Sequence, residues 1–222
     1  MKGICGRNIM KKRILCFGDS NTWGAIAGDS ERRDTEERWT GILQRELGDG
    51  YQVIEEGYNG RTTVFDDPVE GRLSGIRYFG PCLDTQSPLD LVILMLGTND
   101  LKKRFGVSPG TIAFGLNRYL DVLAVTPMAG KKKPQLLIVS PLRISPKYKD
   151  HPLFHDMFGE DADVLSGEFA KEYKAFADGA GLESLDAAEY AQAADEDGIH
   201  MTAESHIRLG EAMTEKVREL LG

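Results

Sequence analysis

The stretch "LDLVILMLGTND", from Leu89 to Asp100, predicts a strand that is buried on both faces and ends in polar residues. A nearly continuous apolar run of strand length is typical of parallel sheets, because helices cover both faces of such sheets. The run "PQLLIVS" at 134–140 has the same character. Further apolar runs of strand length occur at 13–17 and 51–55, and a weaker one at 182–186, so we predict five strands in all.

Helical patterns alternate with these strands. The predicted helices lie at 38–48, 108–123, 161–181 and about 202–221. Gly48 is suited to end the first helix, and Ser108 followed by Pro109 is suited to begin the second. Strand–helix alternation along the whole chain predicts the α/β class, with a five-stranded parallel sheet inside a three-layer α/β/α sandwich.

Length and composition favour one domain. The chain has 222 residues, of which 41% are hydrophobic and 28% are charged, and these values are ordinary for a soluble globular protein. We expect residues 10–222 to form a single domain and residues 1–9 to be an N-terminal extension outside the fold. Met10 is then an alternative to Met1 as the natural start of translation.

Charge, cysteine content and hydropathy argue against several protein classes. The chain has 27 Lys and Arg residues against 35 Asp and Glu residues, a net charge of −8, whereas a nucleic-acid binder needs a basic face. Three cysteines, Cys5, Cys16 and Cys82, fit neither a disulfide framework nor a zinc site. No apolar run reaches the roughly 18 residues that span a membrane, and the N-terminus lacks the apolar stretch of a signal peptide. We expect a cytoplasmic protein without a membrane or nucleic-acid partner.

Polar blocks follow the predicted strands at the points where ligands bind in open α/β sheets, beyond the carboxyl ends of the strands. These blocks are "GDSN" at 18–21, "GYNGRT" at 57–62 and "GTND" at 97–100, and "DGIH" at 197–200 precedes the last helix. We expect all of them to open on one edge of the sheet. The irregular segments 57–71 and 141–160 are long for a compact domain, which also indicates function.

These blocks contain the groups that acyl transfer through a serine requires. Ser20 is a candidate nucleophile, and His200 is a candidate base for its proton. Asp197, three residues before His200 across a turn, can hold the Nδ1 side of the ring, and Asp195 is the less well spaced alternative. The Gly60 N–H, the Asn99 amide and the Ser20 N–H are candidate donors to the oxyanion.

In order and spacing, these four blocks resemble those of the SGNH hydrolases, the GDSL esterase and lipase family. The letters correspond here to Ser20, Gly60, Asn99 and His200. More narrowly, "RILCFGDSNTWG" and "DGIHMT" look like the cytoplasmic arylesterase and acyltransferase branch. The resemblance implies a flavodoxin-like SGNH hydrolase fold, catalytic Ser20, Asp197 and His200, and an oxyanion hole of Ser20, Gly60 and Asn99.

The resemblance further implies a carboxylic ester hydrolase that needs no cofactor and no metal. Its substrate would be a small aryl or alkyl ester, with acetyl as the expected acyl group, and acyl transfer to alcohols or peroxide would be a second reaction. A carbohydrate acetylesterase with the same triad is the alternative. Homo-oligomers are usual in the branch, so a homo-oligomer is expected here.

One residue departs from the pattern, since the family usually has leucine where this chain has Asn21. We therefore predict that Asn21 lines the substrate pocket, with Trp23 and Phe154 as further candidates. The alternative for Trp23, as for Trp39, is a place in the core. Phe154 belongs to "HPLFHDMF", whose apolar residues either cover the active site, contact another subunit, or do both.

Several other polar residues have structural interpretations. His151 and His155 are four apart, but no third metal ligand is evident and Pro152 argues against a helix there. Asp19 is expected to stabilise the turn and Asp100 to order its loop, while Arg61 is expected to pair with a carboxylate or to shape the entrance. His206 is expected to be structural or exposed.

Two rival functions use the same predicted fold without ester chemistry. A nucleotide- or phosphate-binding module would use residues 18–21 as an anion nest, but the sequence has neither G-x-G-x-x-G nor a P-loop to support it. A non-catalytic carbohydrate-binding protein would not require Ser20, Asn99, Asp197 and His200 together.

Overall fold

The structure is a computed structural model that describes residues 10–130 and 132–222. Within these ranges one parallel sheet has the strand order β2-β1-β3-β4-β5. The strands are β1 (Lys12–Gly18), β2 (Tyr51–Gly57), β3 (Leu91–Met95), β4 (Gln135–Ser140) and β5 (Glu183–Asp186). The predicted sheet is confirmed. The predicted extension, residues 1–9, lies outside the described residues together with Cys5, and the single domain over 10–222 stays a prediction.

Helices cover both faces of this sheet. They are α1 (Ser20–Trp23), α2 (Trp39–Leu47), α3 (Gly75–Gln86), α4 (Pro109–Gly115), α5 (Asn117–Val125), α6 (Pro152–Phe158), α7 (Ala162–Ser166), α8 (Phe169–Ala180) and α9 (Ala203–Leu221). Helices α2 and α9 pack together on one face, and α3, α4, α5 and α8 cover the other. The predicted α/β/α sandwich is therefore confirmed.

Alternation along β1 divides the core into two layers. Leu15 and Phe17 belong to the apolar cluster beneath α3, α4, α5 and α8. Ile14 and Cys16 point to the opposite face and pack with the buried Trp39 beneath α2 and α9. Because apolar side chains cover both faces of the central strands, their polar ends are the places where a site can open.

Two predicted helices are each divided. The helix expected at 108–123 is α4 and α5, which meet at Leu116, and the helix expected at 161–181 is α7 and α8. Gly115 and Gly167 lie at these two interruptions. Glycine destabilises a helix interior because it loses more conformational entropy on folding than other residues do. The predicted N-cap is confirmed, since the Ser108 hydroxyl accepts from the Thr111 N–H.

Two helices, α6 and α3, differ from the sequence-based prediction. Pro152 was expected to prevent a helix in "HPLFHDMF", yet it is the first residue of α6. That position suits proline, because the missing N–H would have no partner inside the helix. Helix α3 was not predicted, and it contains Pro81 in its interior.

Two further sequence features concern cysteines and membrane segments. Cys16 and Cys82 are buried and free, and Cys16 packs as a small core residue beneath α2 and α9. None of the helices in the described ranges combines the length and the apolar character needed to cross a membrane.

Candidate active site

The end of β1 leads directly into the short helix α1, which begins at Ser20. The Asp19 carboxylate accepts from the Asn21 N–H at 3.0 Å, so it caps this helix, as predicted. Burial raises the pKa of Asp19 to about 6, against the opposing effects of that N–H and of the nearby charges of His200 and Arg61. The turn that carries Ser20 is therefore stabilised by the side chain of the preceding residue, Asp19.

The structure brings Ser20, His200 and Asp197 together in a line. His200 Nε2 lies 3.0 Å from Ser20 Oγ, and His200 Nδ1 lies 2.6 Å from Asp197 Oδ2. Both distances are those of hydrogen bonds. A serine hydroxyl, an imidazole and a carboxylate in this order form the arrangement in which the ring accepts the serine proton and the carboxylate fixes the ring tautomer.

Asp197 is the carboxylate in this arrangement, and Asp195 is exposed elsewhere on the same turn. Asp197 Oδ1 accepts from the backbone N–H groups of Ile199 and His200 at 2.8 and 2.9 Å, and Oδ2 also accepts from the Gly28 N–H at 3.1 Å. Burial by itself disfavours the charge, but the His200 ring and these N–H groups outweigh it and lower the pKa of Asp197 to about 2. The carboxylate is ionised throughout the neutral range.

The predicted oxyanion donors lie around the same cavity as Ser20. Gly60 and Asn99 line it together with Ser20 and His200. Asn99 Nδ2 donates one hydrogen to the Arg61 carbonyl at 3.1 Å, and its second amide hydrogen is left for another acceptor. Gly60 has a φ of +76°, a conformation that only glycine adopts without strain.

A buried carboxylate holds the loop that carries Gly60. Asp100 accepts from the Thr63 N–H at 2.9 and 3.0 Å and from the Thr63 hydroxyl at 2.5 Å. Burial raises the pKa of Asp100 to about 7, although the bonds from Thr63 oppose this rise. Consecutive residues, Asn99 and Asp100, thus fix the loop at two points, and the prediction that Asp100 orders its loop is confirmed.

The cavity beside Ser20 has a volume of about 180 Å³ and two chemically different walls. One wall is apolar and includes Trp23, Phe154, Met157, Phe158 and Ile199. The other wall is polar and includes Asp29, Ser30, Glu31, Asn59, Glu70, Arg72 and Lys102. The cavity therefore offers contacts both to a small apolar group and to a hydroxylated group beside the same nucleophile.

Two of the three residues predicted for the pocket do line it. Trp23 is half-buried on the cavity wall, with the Arg32 guanidinium 5.2 Å from the centre of its ring. The Phe154 ring lies edge-on to His200, with 6.0 Å between ring centroids. Met157 and Phe158 join Phe154 on the wall, so this segment covers the site. Its contact with another subunit stays a prediction.

The assignment of Asn21 to the pocket is wrong. Its side chain is only 2% exposed and is absent from the cavity wall. Asn21 Nδ2 donates to the Ile199 carbonyl at 3.3 Å, and Asn21 Oδ1 accepts from the Met201 N–H at 2.9 Å. The amide is directed away from the cavity because it bonds to the backbone on both sides of His200.

The remaining polar candidates have structural places. His206 is fully buried, and its Nδ1 accepts from the Trp39 N–H at 3.3 Å; burial, followed by nearby arginine charges, lowers the pKa of His206 to about 3. Arg61 donates to the backbone carbonyls of Gly18, at 2.8 Å, and Glu56, and stacks on Phe17. Arg61 was expected to pair with a carboxylate or to shape the entrance, and its observed hydrogen-bond partners are backbone carbonyls rather than a carboxylate.

His151 directly precedes α6 and His155 lies within it, and both rings have partners other than a metal. His155 Nε2 lies 2.9 Å from Glu160 Oε1, and the His151 ring packs against the Phe154 ring, with 4.7 Å between centroids and an angle of 44° between the ring planes. Within residues 10–130 and 132–222, no group of three or more His, Cys, Asp and Glu side chains is placed to hold a metal ion.

The charged wall of the cavity was not predicted from the sequence. Lys102 is 2% exposed and donates to Glu70 Oε1 at 2.5 Å, and Arg104 donates to the same oxygen at 2.5 Å. A Cβ on Gly60 would lie 2.7 Å from the Arg72 Cδ and 2.9 Å from Glu70 Oε2. The one signal in the sequence is the position of Lys102, two residues after the "GTND" block that carries Asn99.

A larger groove of about 580 Å³ lies at the β5 edge of the sheet, away from Ser20. Its lysines are already paired, Lys174 with Asp178 at 2.8 Å and Lys216 with Glu183 at 2.7 Å. The chemistry assembled around Ser20 makes the smaller cavity the candidate site.

Comparisons with known proteins agree with this geometry. A family model described as the GDSL-like Lipase/Acylhydrolase family matches residues 16–207. The chain is similar to the crystallised aryl esterase of M. smegmatis, with 40% identity over 95% of this chain and 100% of that one and a TM-score of 0.89. It is equally similar to a carbohydrate acetylesterase from Sinorhizobium meliloti, with 41% identity, the same coverage and a TM-score of 0.89.

A second Sinorhizobium meliloti structure, a carbohydrate acetylesterase family member, shares 34% identity over 95% of this chain and 99% of that one, with a TM-score of 0.89. No curated protein sequence matches the chain significantly. The solved structures therefore include aryl esterases and carbohydrate acetylesterases at similar distances from this chain.

Proposed function

The chain belongs to the GDSL-like lipase/acylhydrolase family, and we propose that it hydrolyses short-chain acyl esters through an acyl-enzyme on Ser20. The class, carboxylic ester hydrolase, follows from the family and from the esterases it resembles. The observation that carries the finer proposal is the line of hydrogen bonds from Ser20 through His200 to Asp197, at 3.0 and 2.6 Å.

In the first half of the proposed reaction, His200 Nε2 takes the hydroxyl proton as Ser20 Oγ attacks the ester carbonyl. Asp197 keeps the remaining ring proton on Nδ1 and stabilises the imidazolium that forms. The negative charge on the carbonyl oxygen is accepted by the N–H groups of Ser20 and Gly60 and by the Asn99 amide. His200 then protonates the departing alkoxide, and the acyl group remains on Ser20.

In the second half, water attacks the acyl-enzyme while His200 again accepts a proton. Collapse of the second tetrahedral intermediate releases the carboxylic acid and restores the Ser20 hydroxyl. An alcohol or a peroxide in place of water would give acyl transfer instead. The apolar wall of Phe154, Met157 and Phe158 supports that reaction, because it limits the water next to the acyl group.

The proposed acyl group is short because the cavity is small. A volume of about 180 Å³ lies below the roughly 300–1,000 Å³ of typical ligand pockets. With 4-nitrophenol as the constant leaving group, we expect kcat/KM to fall at least about tenfold from acetate to octanoate, since the longer chain does not fit a cavity of this volume. Initial rates across acetate, butyrate, hexanoate and octanoate measure this, and a flat or rising series would contradict it.

The second candidate, a carbohydrate acetylesterase, is favoured by the polar wall. Glu70 Oε1 is held by Lys102 and Arg104, and Asn59 and Arg72 also line the cavity. Such groups can accept and donate hydrogen bonds to the hydroxyls of a sugar. Acetylated xylose and glucose, compared with phenyl acetate and ethyl acetate at equal concentration, separate the two candidates, and added alcohol in the same assay measures acyl transfer.

Loss of one oxyanion donor is expected to lower kcat less than loss of the nucleophile does. Replacing Asn99 with alanine is expected to lower kcat by about 10²–10³-fold, because the amide contacts the oxygen only after charge has developed on it. KM for 4-nitrophenyl acetate should change little by comparison. Steady-state kinetics on the purified variant measure both constants.

Asn117 provides the matched control for that experiment. Its side-chain amide also donates to a backbone carbonyl, that of Phe114 at 2.9 Å, but on the exposed surface of the helical layer. Replacing Asn117 with alanine should leave kcat unchanged. Equal rates for the Asn99 and Asn117 variants would remove Asn99 from the proposed oxyanion hole.

Two further expectations stay proposals. A cytoplasmic location and a homo-oligomer are implied by the branch that the sequence resembles. Light scattering on the purified protein tests the second, and a monomer at working concentrations would contradict it.

A further inference from the structure

Asn21 directly follows Ser20, and its side chain bonds to the backbone on both sides of His200. Its Nδ2 donates to the Ile199 carbonyl at 3.3 Å, and its Oδ1 accepts from the Met201 N–H at 2.9 Å. The carboxamide thus spans the catalytic histidine, with one bond before it and one bond after it.

Residues 199–201 are called the His200 segment here. Among the described residues, only Asp197 and Asn21 make side-chain hydrogen bonds to the backbone of this segment. Asp197 Oδ1 accepts from the N–H groups of Ile199 and His200 at 2.8 and 2.9 Å. Asn21 holds the Ile199 carbonyl and the Met201 N–H. Asp197 also contacts the imidazole itself, whereas the Asn21 amide bonds only to backbone atoms of the segment.

Asn21 is itself held in place. Its backbone N–H donates to the Asp19 carboxylate at 3.0 Å, and it lies within α1. Its position is therefore fixed relative to the Ser20 hydroxyl one residue earlier. Since the side chain is short and its amide is planar, its two hydrogen bonds restrict how far the His200 segment can shift relative to Ser20.

We infer that Asn21 is a positioning residue that sets the approach of His200 to Ser20. This inference rests on the proposed function, in which His200 takes the Ser20 proton. The 3.0 Å separation of Ser20 Oγ and His200 Nε2 is then maintained by a link between α1 and the histidine segment. A misplacement of about 1 Å between reacting groups reduces rates by as much as about 10²-fold.

A contact of Asn21 with substrate is not part of this role. The side chain is 2% exposed, and both ends of its amide are bonded to the His200 segment. Its replacement should therefore change the chemical step more than the binding of substrate.

The primary test is Asn21→Leu, which removes both hydrogen bonds and keeps a side chain of similar size. We expect kcat for 4-nitrophenyl acetate to fall by about 10–100-fold with KM within about threefold of the parent value. Thr22→Val is the matched control. Thr22 is the next residue of α1, is fully buried, and its hydroxyl has no hydrogen-bond partner among the described residues. That variant should keep the parent kcat.

A double-mutant cycle separates positioning from a general effect on the fold. In a His200→Ala background the residual turnover no longer uses the imidazole, so Asn21→Leu should cause no further loss there. A parent-like kcat in Asn21→Leu would overturn the inference. So would an equal fold-loss in the parent and His200→Ala backgrounds.

Asn21→Asp keeps the inference testable if the leucine variant does not fold. A carboxylate retains the acceptor for the Met201 N–H and loses the donor to the Ile199 carbonyl. Its rate of fluorophosphonate labelling at Ser20 should fall below the parent rate, and a parent-like rate would contradict the inference. Ser20→Ala and His200→Ala distinguish a failure of the proposed function from a failure of the inference about Asn21. If both variants keep full turnover, the proposed function fails. If both lose turnover and Asn21→Leu keeps it, only the inference about Asn21 fails.

Discussion

Replacing Ser20 with alanine is expected to lower kcat for 4-nitrophenyl acetate by about 10⁴–10⁶-fold. The variant loses the nucleophile, so the acyl-enzyme cannot form, and the residual rate comes from the oxyanion donors and from substrate binding alone. The structural basis is the 3.0 Å contact between Ser20 Oγ and His200 Nε2. Because alanine is smaller and is compatible with α1, the fold should be retained, and circular dichroism checks this.

Covalent labelling makes the Ser20 experiment specific. A fluorophosphonate should attach to the parent protein once per chain, and Ser20→Ala should not be labelled. Ser140→Ala is the matched control, because Ser140 is a buried serine at the carboxyl end of β4 that donates to Asp186 at 2.7 Å rather than to a histidine. The control should be labelled and turn over like the parent. Near-parent turnover by Ser20→Ala would end the proposal of a serine mechanism.

The strands could be predicted from the sequence because burial on both faces leaves a simple pattern. The apolar runs at 89–97 and 134–140 contain β3 and β4, whose side chains are almost fully buried. Helix boundaries were less predictable. A sequence pattern cannot show that Pro152 stands at the first position of a helix, where its missing N–H does no harm.

The candidate site could be predicted where interacting residues lie close together in the sequence. Asp197 lies three residues before His200, and the turn between them places the carboxylate against the ring. Asn21 illustrates the limit. Its neighbour in sequence is Ser20, but its partners are Ile199 and Met201, about 180 residues away. A change from leucine to a polar residue beside a nucleophile suggests a substrate contact, and only the packed structure shows that the amide bonds to another loop.

The charged wall was missed for a related reason. Lys102 and Glu70 are separated by 32 residues and face each other only when two loops meet beside Ser20. The apolar pattern that reveals strands carries no information about such pairs. Burial of a lysine is tolerated here because the carboxylates of Glu70 and Asp67 surround it, which is how charged side chains are usually stabilised away from water.

Replacing Asp197 with asparagine is expected to lower kcat by about 10⁴-fold at neutral pH while leaving the fold intact. The structure determines which way the new amide must face. The Oδ1 position accepts from the N–H groups of Ile199 and His200, so the carbonyl oxygen of asparagine must remain there. Its NH₂ group is then placed at the Oδ2 position, 2.6 Å from His200 Nδ1.

That orientation reverses the hydrogen bond to the ring. The NH₂ group donates to Nδ1, so the neutral imidazole carries its proton on Nε2, facing Ser20, and cannot accept the serine proton. The NH₂ group of the new asparagine also faces the Gly28 N–H, which therefore loses its acceptor. The chemical step should therefore fail although every side chain keeps its place. Asp195→Asn is the control, because Asp195 is exposed on the same turn and its loss of charge should leave kcat unchanged. If steady-state kinetics showed equal losses for the two variants, charge near the site rather than the tautomer of His200 would explain the effect of Asp197.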